Sequence, residues 1–332
     1  MSRPARFEFH KFYLFSIVAV MGVFCLSGCV ADDQLDKATA QFVQASTTLA
    51  QAYQALLTNA NCIEADDYIN QETFAAMFNQ PLPESQLTGP EITDSAILTP
   101  AEITLRVDAI KVLTDYTTAL ATLASGKPAD QIQADAAQAS SSVKTFTTDL
   151  TPFIANPPKG TKAPDFAGPA SIAVTAIGDV LKLIESHKSA STIRDNIKAN
   201  DARIMPLYSM METESFGLFG RVVTDANTFY LGVLRNYNVA IAAKPVNQVE
   251  VLELSNELEQ AEKNLAAIRT SDPSAAIKGF GTAHAALVEL VTSTTTQDKK
   301  KFLAELIAQV KSFAAEVKAP AKGSSATSKP TS

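Results

Sequence analysis

The chain has no tryptophan, only 7% aromatic residues, three histidines among 332 residues, and a charged fraction of 19%. Without tryptophan it lacks the usual stacking platform for sugars. Neither His187 nor His284 belongs to an H-E-x-x-H helix motif. Glu185 and His187, two residues apart, would point about 200° apart on a helix. No metal centre and no cofactor are therefore expected. The 13 glycines form no phosphate-cradling loop. Gly279-Phe280-Gly281 lacks a following Gly-Lys and sits within an apolar helical stripe, where small residues serve packing. A G-x-S-x-G elbow is absent, as is the strand it would need. The carboxylate pairs Asp66-Asp67 and Glu212 with Glu214 are what chance gives in an acidic chain, whereas a glycosidase needs two carboxylates at a fixed separation across a cleft. No catalytic residue is assigned. A net charge of −7 argues against nucleic acid as a partner and against a domain lying flat on anionic lipid.

What the chain does carry begins at its amino terminus. Arg3, Arg6 and Lys11 precede a fifteen-residue apolar run, Phe12 to Leu26, broken only by Ser16 and Gly22. A basic start, a short apolar segment and small residues before a cut describe a secretory signal peptide. The run is short for a membrane span, which needs about 20 apolar residues. Leu26-Ser27-Gly28-Cys29 resembles the lipobox of bacterial lipoproteins. That resemblance covers the first thirty residues and implies a signal peptide over 1–28, diacylglycerol on the Cys29 thiol and acylation (palmitate, for example) of the new amino terminus. Two or more chains make a stable anchor, whereas one binds marginally. Val30 stands where an aspartate would mean retention at the inner membrane, so the resemblance favours the outer membrane, with the chain facing the periplasm or the surface. The removed segment carries three basic residues against Glu8, so the mature chain is more acidic than the whole, −9 against −7. Cys25 leaves with the signal and Cys29 is acylated. Cys62 is then the lone thiol of the mature chain: no intramolecular disulfide can form, and a buried thiol is expected.

The remainder is patterned as helix nearly throughout. Leu35, Phe42, Leu49 and Leu56 recur every seventh residue with Ala38, Ala45 and Ala52 between them, a heptad that lets another helix approach closely. Residues 61–100 form a loop-rich excursion containing Pro81, Pro83, Gly89, Pro90 and Pro100, with a short helix over Gln71–Phe78. Ile103, Val107, Ile110, Leu113, Leu120 and Leu123 make one stripe, closed by Ser125-Gly126-Lys127-Pro128. Ile132, Ala136, Ala139, Val143, Phe146, Leu150 and Phe153 make the next, and the short loop sets the two helices antiparallel. These complete an N-terminal helical region over 29–155. A Pro-rich linker, 156–169, separates it from a C-terminal helical bundle over 170–318, and the tail 319–332 is expected to be disordered. In that bundle a helix runs from Ile172 to about Lys198, and Asn200-Asp201 with Pro206 marks a turn or kink. Phe216, Phe219, Val223, Ala226, Tyr230, Val233, Tyr237 and Ala240 then stripe a long helix that Pro245 stops. Val251 to Ile268, Ile277 to Val291 and Leu303 to Val317 give three more, with His284 on an apolar stripe as a core histidine bearing one hydrogen-bond partner. The fold class is all-α: elongated antiparallel helical bundles of long heptad-patterned helices, in coiled-coil style.

The functional expectation is a membrane-anchored envelope lipoprotein acting as a non-catalytic binding or scaffold protein. A protein partner in the envelope is expected, and self-assembly into a homo-oligomer fits the same pattern. The heptad at 35–56 is a candidate free face. Residues 215–241 are the most apolar and aromatic segment, with Gly217, Gly220 and Gly232 suited to close helix approach. Arg221, Asp225 and Arg235 rule out a simple membrane span. Phe216, Phe219 and Tyr230 are the candidate contacts with a partner or membrane. Two other readings stay open: a membrane-active helical protein that inserts 215–241, as α-helical pore formers do, and a cell-wall enzyme.

Overall fold

A computed structural model describes residues 33–61, 98–155 and 165–317. The expected signal segment, Cys29, Cys62, Asp66-Asp67, most of the expected excursion with its short helix over Gln71–Phe78, the core of the expected Pro-rich linker and the tail lie outside them. Helix α1 spans 33–61, and seven more follow: α2 Pro100–Ala124, α3 Ala129–Ala155, α4 Ala167–Glu185, α5 Ala190–Ala242, α6 Gln248–Arg269, α7 Ser274–Thr292 and α8 Thr296–Glu316. The described residues contain no strand, and the fold is an all-α helical bundle.

Local signals explain where several helices begin. Thr99 and Glu102 form a reciprocal capping box at the start of α2, with Pro100 at the first helical position. Ser189, Asn247 and Thr295 cap α5, α6 and α8 through side-chain oxygens. Many threonine and serine hydroxyls turn back onto the carbonyl four residues earlier, as Ser46, Thr114, Thr117 and Thr292 do, and so satisfy themselves inside the bundle.

One continuous core joins α1 through α5, α7 and α8, so the helices on either side of the linker share it. The heptad of α1 points inward: Leu35, Phe42, Leu49 and Leu56 and the three alanines between them are buried. It is therefore not a free face, because α1 has its partners within the chain. Phe42 stacks on Phe280 at 5.1 Å and meets Phe313 at 5.5 Å, and Tyr208 packs edge-on to Phe280 at 5.2 Å, tying α1, α5, α7 and α8 together. Helix α2 is buried on nearly every side, Leu105, Ala109, Val112 and Tyr116 included, and is the central helix rather than one with a single apolar stripe. Gly279 and Gly281 do serve packing: a Cβ would stand 3.2 Å from the Phe313 Cα and from Tyr208 Cγ, respectively.

The break expected at 200–206 is absent. Helix α5 runs 53 residues through Pro206. Pro206 and Ala202 both face outward, so the carbonyl that loses its helical partner can bond to water. The true break is at 186–189, inside the stretch expected to be helical. His187 adopts φ 54° there, and the amides of His187 and Lys188 bond the carbonyls of Ile184 and Leu183. This is a Schellman closure with a histidine in the usual glycine position, so His187 is a turn residue and not a helical neighbour of Glu185.

Directions follow from one layer of contacts. Tyr53, Arg106 and Glu214 meet across α1, α2 and α5. Asn61, Leu98 and Val222 each lie eight residues from that layer, about 12 Å along their helices. Asn61 clasps Leu98 through two hydrogen bonds, of 2.5 and 3.0 Å, pinning together the two ends of the excursion. The rest of α5 therefore leaves the bundle at this distal end, where Asn61 and Leu98 also lie. The start of α1 lies at the opposite end, where Asp36 pairs with Lys127 in the α2–α3 turn.

Candidate functional site: a helical arm with an apolar tip

Beyond Val222, α5 leaves the core and is paired with α6 in an antiparallel hairpin, here called the arm. Only Val233 and Ala240 on α5 and Ala261 and Leu265 on α6 are buried in its seam, and none of the four belongs to the main core. Twenty residues from Val222 to Ala242 reach about 30 Å. Asn247 begins the return helix by accepting from the amides of Val249 and Glu250.

The exposed large hydrophobic residues gather here. Val239, Ile241, Val246, Val249 and Leu252 flank the tip turn at 64%, 46%, 48%, 66% and 62% exposure, and Phe229 and Leu231 lie further down. Residues 226–249 hold Arg235 and Lys244 and no acidic residue, whereas α6 beyond them carries Glu250, Glu253, Glu257, Glu259 and Glu262. The tip is thus apolar with charges of both signs around it, Lys244 in the turn and Glu250 between Val249 and Leu252, and α6 is acidic further along.

The three candidate contact residues separate. Phe216 is 71% exposed at the base of the arm, Phe219 is half-buried against the core, and Tyr230 is half-buried on the arm. The expected stripe is out of register by one residue near the base: Leu218 and Val222 are buried where Phe219 and Val223 were expected, while Val233 and Ala240 match. Core contacts set the register up to Val222 and α6 sets it above. Gly217, Gly220 and Gly232 do not mediate close packing, since a Cβ at any of them would meet nothing within 4 Å.

Two buried polar clusters join residues far apart in the chain, and of their members only His284 was expected in the core. Arg106 bonds Glu214 through Nε, at 3.0 and 2.9 Å, and through Nη2, at 2.8 Å; both side chains are buried. Tyr53 donates to Glu214 Oε2 at 2.6 Å, Arg106 Nη1 donates to the Glu102 carbonyl, and the guanidinium lies 4.7 Å from the Phe166 ring centre. Burial first, and the Glu214 carboxylate second, hold the Tyr53 phenol well above its ordinary pKa, so it remains a donor. Glu214 is therefore a structural ion-pair partner, while Glu212 is half-buried. The sequence clue was Arg106 on an otherwise apolar face.

In the second cluster His284 is fully buried. Its Nδ1 lies 3.3 Å from Thr117 Oγ1 and its Nε2 lies 3.5 Å from Asp201 Oδ1, between the rings of Tyr116 and Tyr208. Burial raises both phenols, with Asp201 adding to each. The group sits inside the core and is a packing layer with polar atoms. A cavity of about 10 Å³ between α1, α2, α7 and α8, lined by Phe42, Thr117, Leu287 and Val310 among others, is too small for an organic ligand. Among the described residues no group of three His, Cys, Asp or Glu side chains could hold a metal ion. Helix α4 has the length and composition to cross a membrane, yet Ala170, Ala173, Ala176, Ile177, Val180 and Leu181 place one side of it in the core.

Comparison with family models, with curated proteins and with solved structures found no match.

Proposed function

We propose that the mature chain is a lipid-anchored, non-catalytic helical binding protein of the bacterial envelope, and that the α5–α6 arm is its binding element. The observation that carries this is the segregation of surfaces: the bundle buries its apolar stripes, while the arm leaves five aliphatic side chains exposed around one turn. A soluble protein seldom gathers apolar surface this way unless something covers it. Geometry supports a spacer role as well. Cys29 precedes α1 by four residues in the sequence, α1 starts at the proximal end, and the arm tip lies about 70 Å from that start, taking 1.5 Å per helical residue. Lipid at Cys29 would hold one end and leave the tip as the reaching end.

Site-specific photo-crosslinking in intact envelopes tests the assignment. A reactive side chain at Phe229 or Leu252 should give adducts with a molecule other than this chain, while one at the exposed Ile172 of α4 should not. Equal yields from arm and bundle would refute it. The exposed Phe216 and Phe229 also favour a membrane-active variant of this reading, with insertion of 215–241. Release of trapped dye from liposomes would separate insertion from passive docking.

A further inference from the structure

We propose that His284 Nε2 and Asp201 Oδ1 hold one proton between them in the folded chain, and that this proton is a pH-sensitive latch fastening α7 to α5. The latch is independent of what the arm binds. The hydrogens around the ring dictate it. Thr117 Oγ1 donates its one hydrogen to the Leu113 carbonyl, at 2.7 Å, so it can only accept from the ring nitrogen 3.3 Å away. His284 Nδ1 therefore carries a hydrogen. A neutral imidazole has only one N–H, which leaves Nε2 as a bare lone pair. That lone pair would face Asp201 Oδ1 at 3.5 Å, acceptor against acceptor. Both atoms are shut off from solvent and neither has a hydrogen bond elsewhere. Two buried acceptors turned on each other are costly. One proton taken up from solvent removes the conflict: on the ring it makes an ion pair, and on the carboxyl it makes a hydrogen bond to Nε2.

The surroundings confine the effect to this pair. The titratable groups that face the ring are Tyr116 from α2 and Asp201 and Tyr208 from α5. Burial, before any other cause, keeps both phenols protonated. Helices α1 and α8 line the cavity beside Thr117 with Ala38, Thr39, Phe42, Leu306 and Val310, none of which titrates. On α7 itself the residues one turn either side are Phe280, Gly281, Leu287 and Val288. Arg203, the charge nearest Asp201 in sequence, bonds Asn200 and reaches toward Asp179 instead. The latch also sits where α5 is weakly held by its own backbone. Pro206 removes the bond that the Ala202 carbonyl would accept, one residue from Asp201. Contacts with neighbouring helices hold that turn, and this one depends on a proton.

The sign of the pH dependence follows. An unfolded chain gives up this proton above about pH 6.5, the ordinary histidine value. A proton held more tightly in the folded state gives stability that is full below that value and is lost as pH rises through the folded one. Urea unfolding of the full chain from about pH 6 to about pH 9 reads it: each pH unit above about 6.5 should lower the folding equilibrium constant by up to about tenfold until the proton leaves. In Asp201→Asn the amide donates to Nε2, and no extra proton is needed. In Thr117→Val the single hydrogen of a neutral ring can move to Nε2 and face the carboxylate. Both variants should therefore flatten the profile, and either decides the matter if the other fails to fold. Nitrogen and carbon NMR of the unaltered chain at about pH 7.5 should show a proton on Nε2 or on the Asp201 carboxyl. Parallel pH profiles for the unaltered chain and the variants overturn the inference, as does a bare Nε2 beside an ionised Asp201.

Discussion

The Arg106–Glu214 pair is the most demanding structural feature of the bundle, and removing one member tests how it is held. In Arg106→Met the Glu214 carboxylate loses three charge-assisted contacts, at 2.8–3.0 Å, and keeps only the Tyr53 hydroxyl. No water reaches it, since both side chains are almost wholly buried. A buried charge left alone costs about 3–5 kcal/mol, a large part of the roughly 5–15 kcal/mol by which domains are stable. Glu214→Leu strands Arg106 in the same way, leaving the Glu102 carbonyl and the face of Phe166. The double variant Arg106→Met/Glu214→Leu removes both charges together and should recover most of the loss, because a well-packed apolar pair often matches a buried ion pair. Urea unfolding followed by circular dichroism reads this. With a slope of about 3 kcal/mol/M, each single change should lower the midpoint by about 1–1.7 M, and the double change by much less than their sum. Tyr53→Phe should cost about 1.5–3 kcal/mol for the lost bond to a charged acceptor. If each single variant lost under 1 kcal/mol, or if the two losses simply added, the pair would not be the coupled buried unit described here.

Other expectations follow from the same contacts. Gly220→Ala should stabilise the chain by up to about 1 kcal/mol, because an exposed helical glycine with open space gains propensity; Gly279→Ala should destabilise it by a similar amount, since its Cβ meets the backbone of α8, and thermal melts of the pair should move in opposite directions. His187→Gly should raise the melting temperature by relieving a left-handed histidine, a gain of about 1 kcal/mol, and no change would mean the turn is not strained. Burial first and Asp149 second raise the Asp108 carboxyl above its usual range, with Lys111 opposing. The folded state therefore holds that proton more tightly, and the associated stability is full below the ordinary carboxylate pKa and lost as pH rises through the raised value. Asp108→Asn should accordingly stabilise at pH 7 by a few tenths of a kcal/mol, after screening, with the gain shrinking toward pH 4; a gain independent of pH would contradict this. Amide exchange should be fastest in the tip half of α6, which has no buried side chain before Ala261, and slowest in α2 and α7; uniform protection would show the arm to be part of the core.

The helices themselves were readable because their stripes are long. Every apolar position of the α1 heptad and the alternating four-three pattern of α3 turned inward or stayed half-covered. Periodicity says which face is buried, however, and not against what, so a heptad satisfied within the chain looked the same as one awaiting a partner. The α4–α5 turn was hidden because it uses His187 where a glycine would have announced it, and Pro206 suggested a break because sequence does not reveal that the freed carbonyl faces water. The partners of Arg106 were hidden for a different reason: Tyr53, Arg106 and Glu214 are far apart in the chain and meet only once three helices are stacked. Within the arm the change of register between Leu218 and Val233 reflects a change of neighbour, from the core below to α6 alone above, and a single stripe cannot describe two partners.

That change of neighbour bears on why the arm carries its apolar tip. A hairpin whose seam holds four buried residues gains little from its own packing, and short helices without tertiary contacts are marginal in water. Stability alone would favour charged residues on all its outer faces, and α6 follows that rule over Glu253, Glu257, Glu259 and Glu262. Near the tip, however, exposed aliphatic residues are interspersed among Lys244, Glu250 and Glu253. Val246, Val249 and Leu252 stand on or beside the very helix that carries those glutamates, each nearly half exposed or more. Polar residues there would cost the fold nothing, because these side chains touch no core. Under the binding role proposed above, their apolar character is accounted for by what covers them, and the arm would gain the order it lacks alone when its tip is engaged.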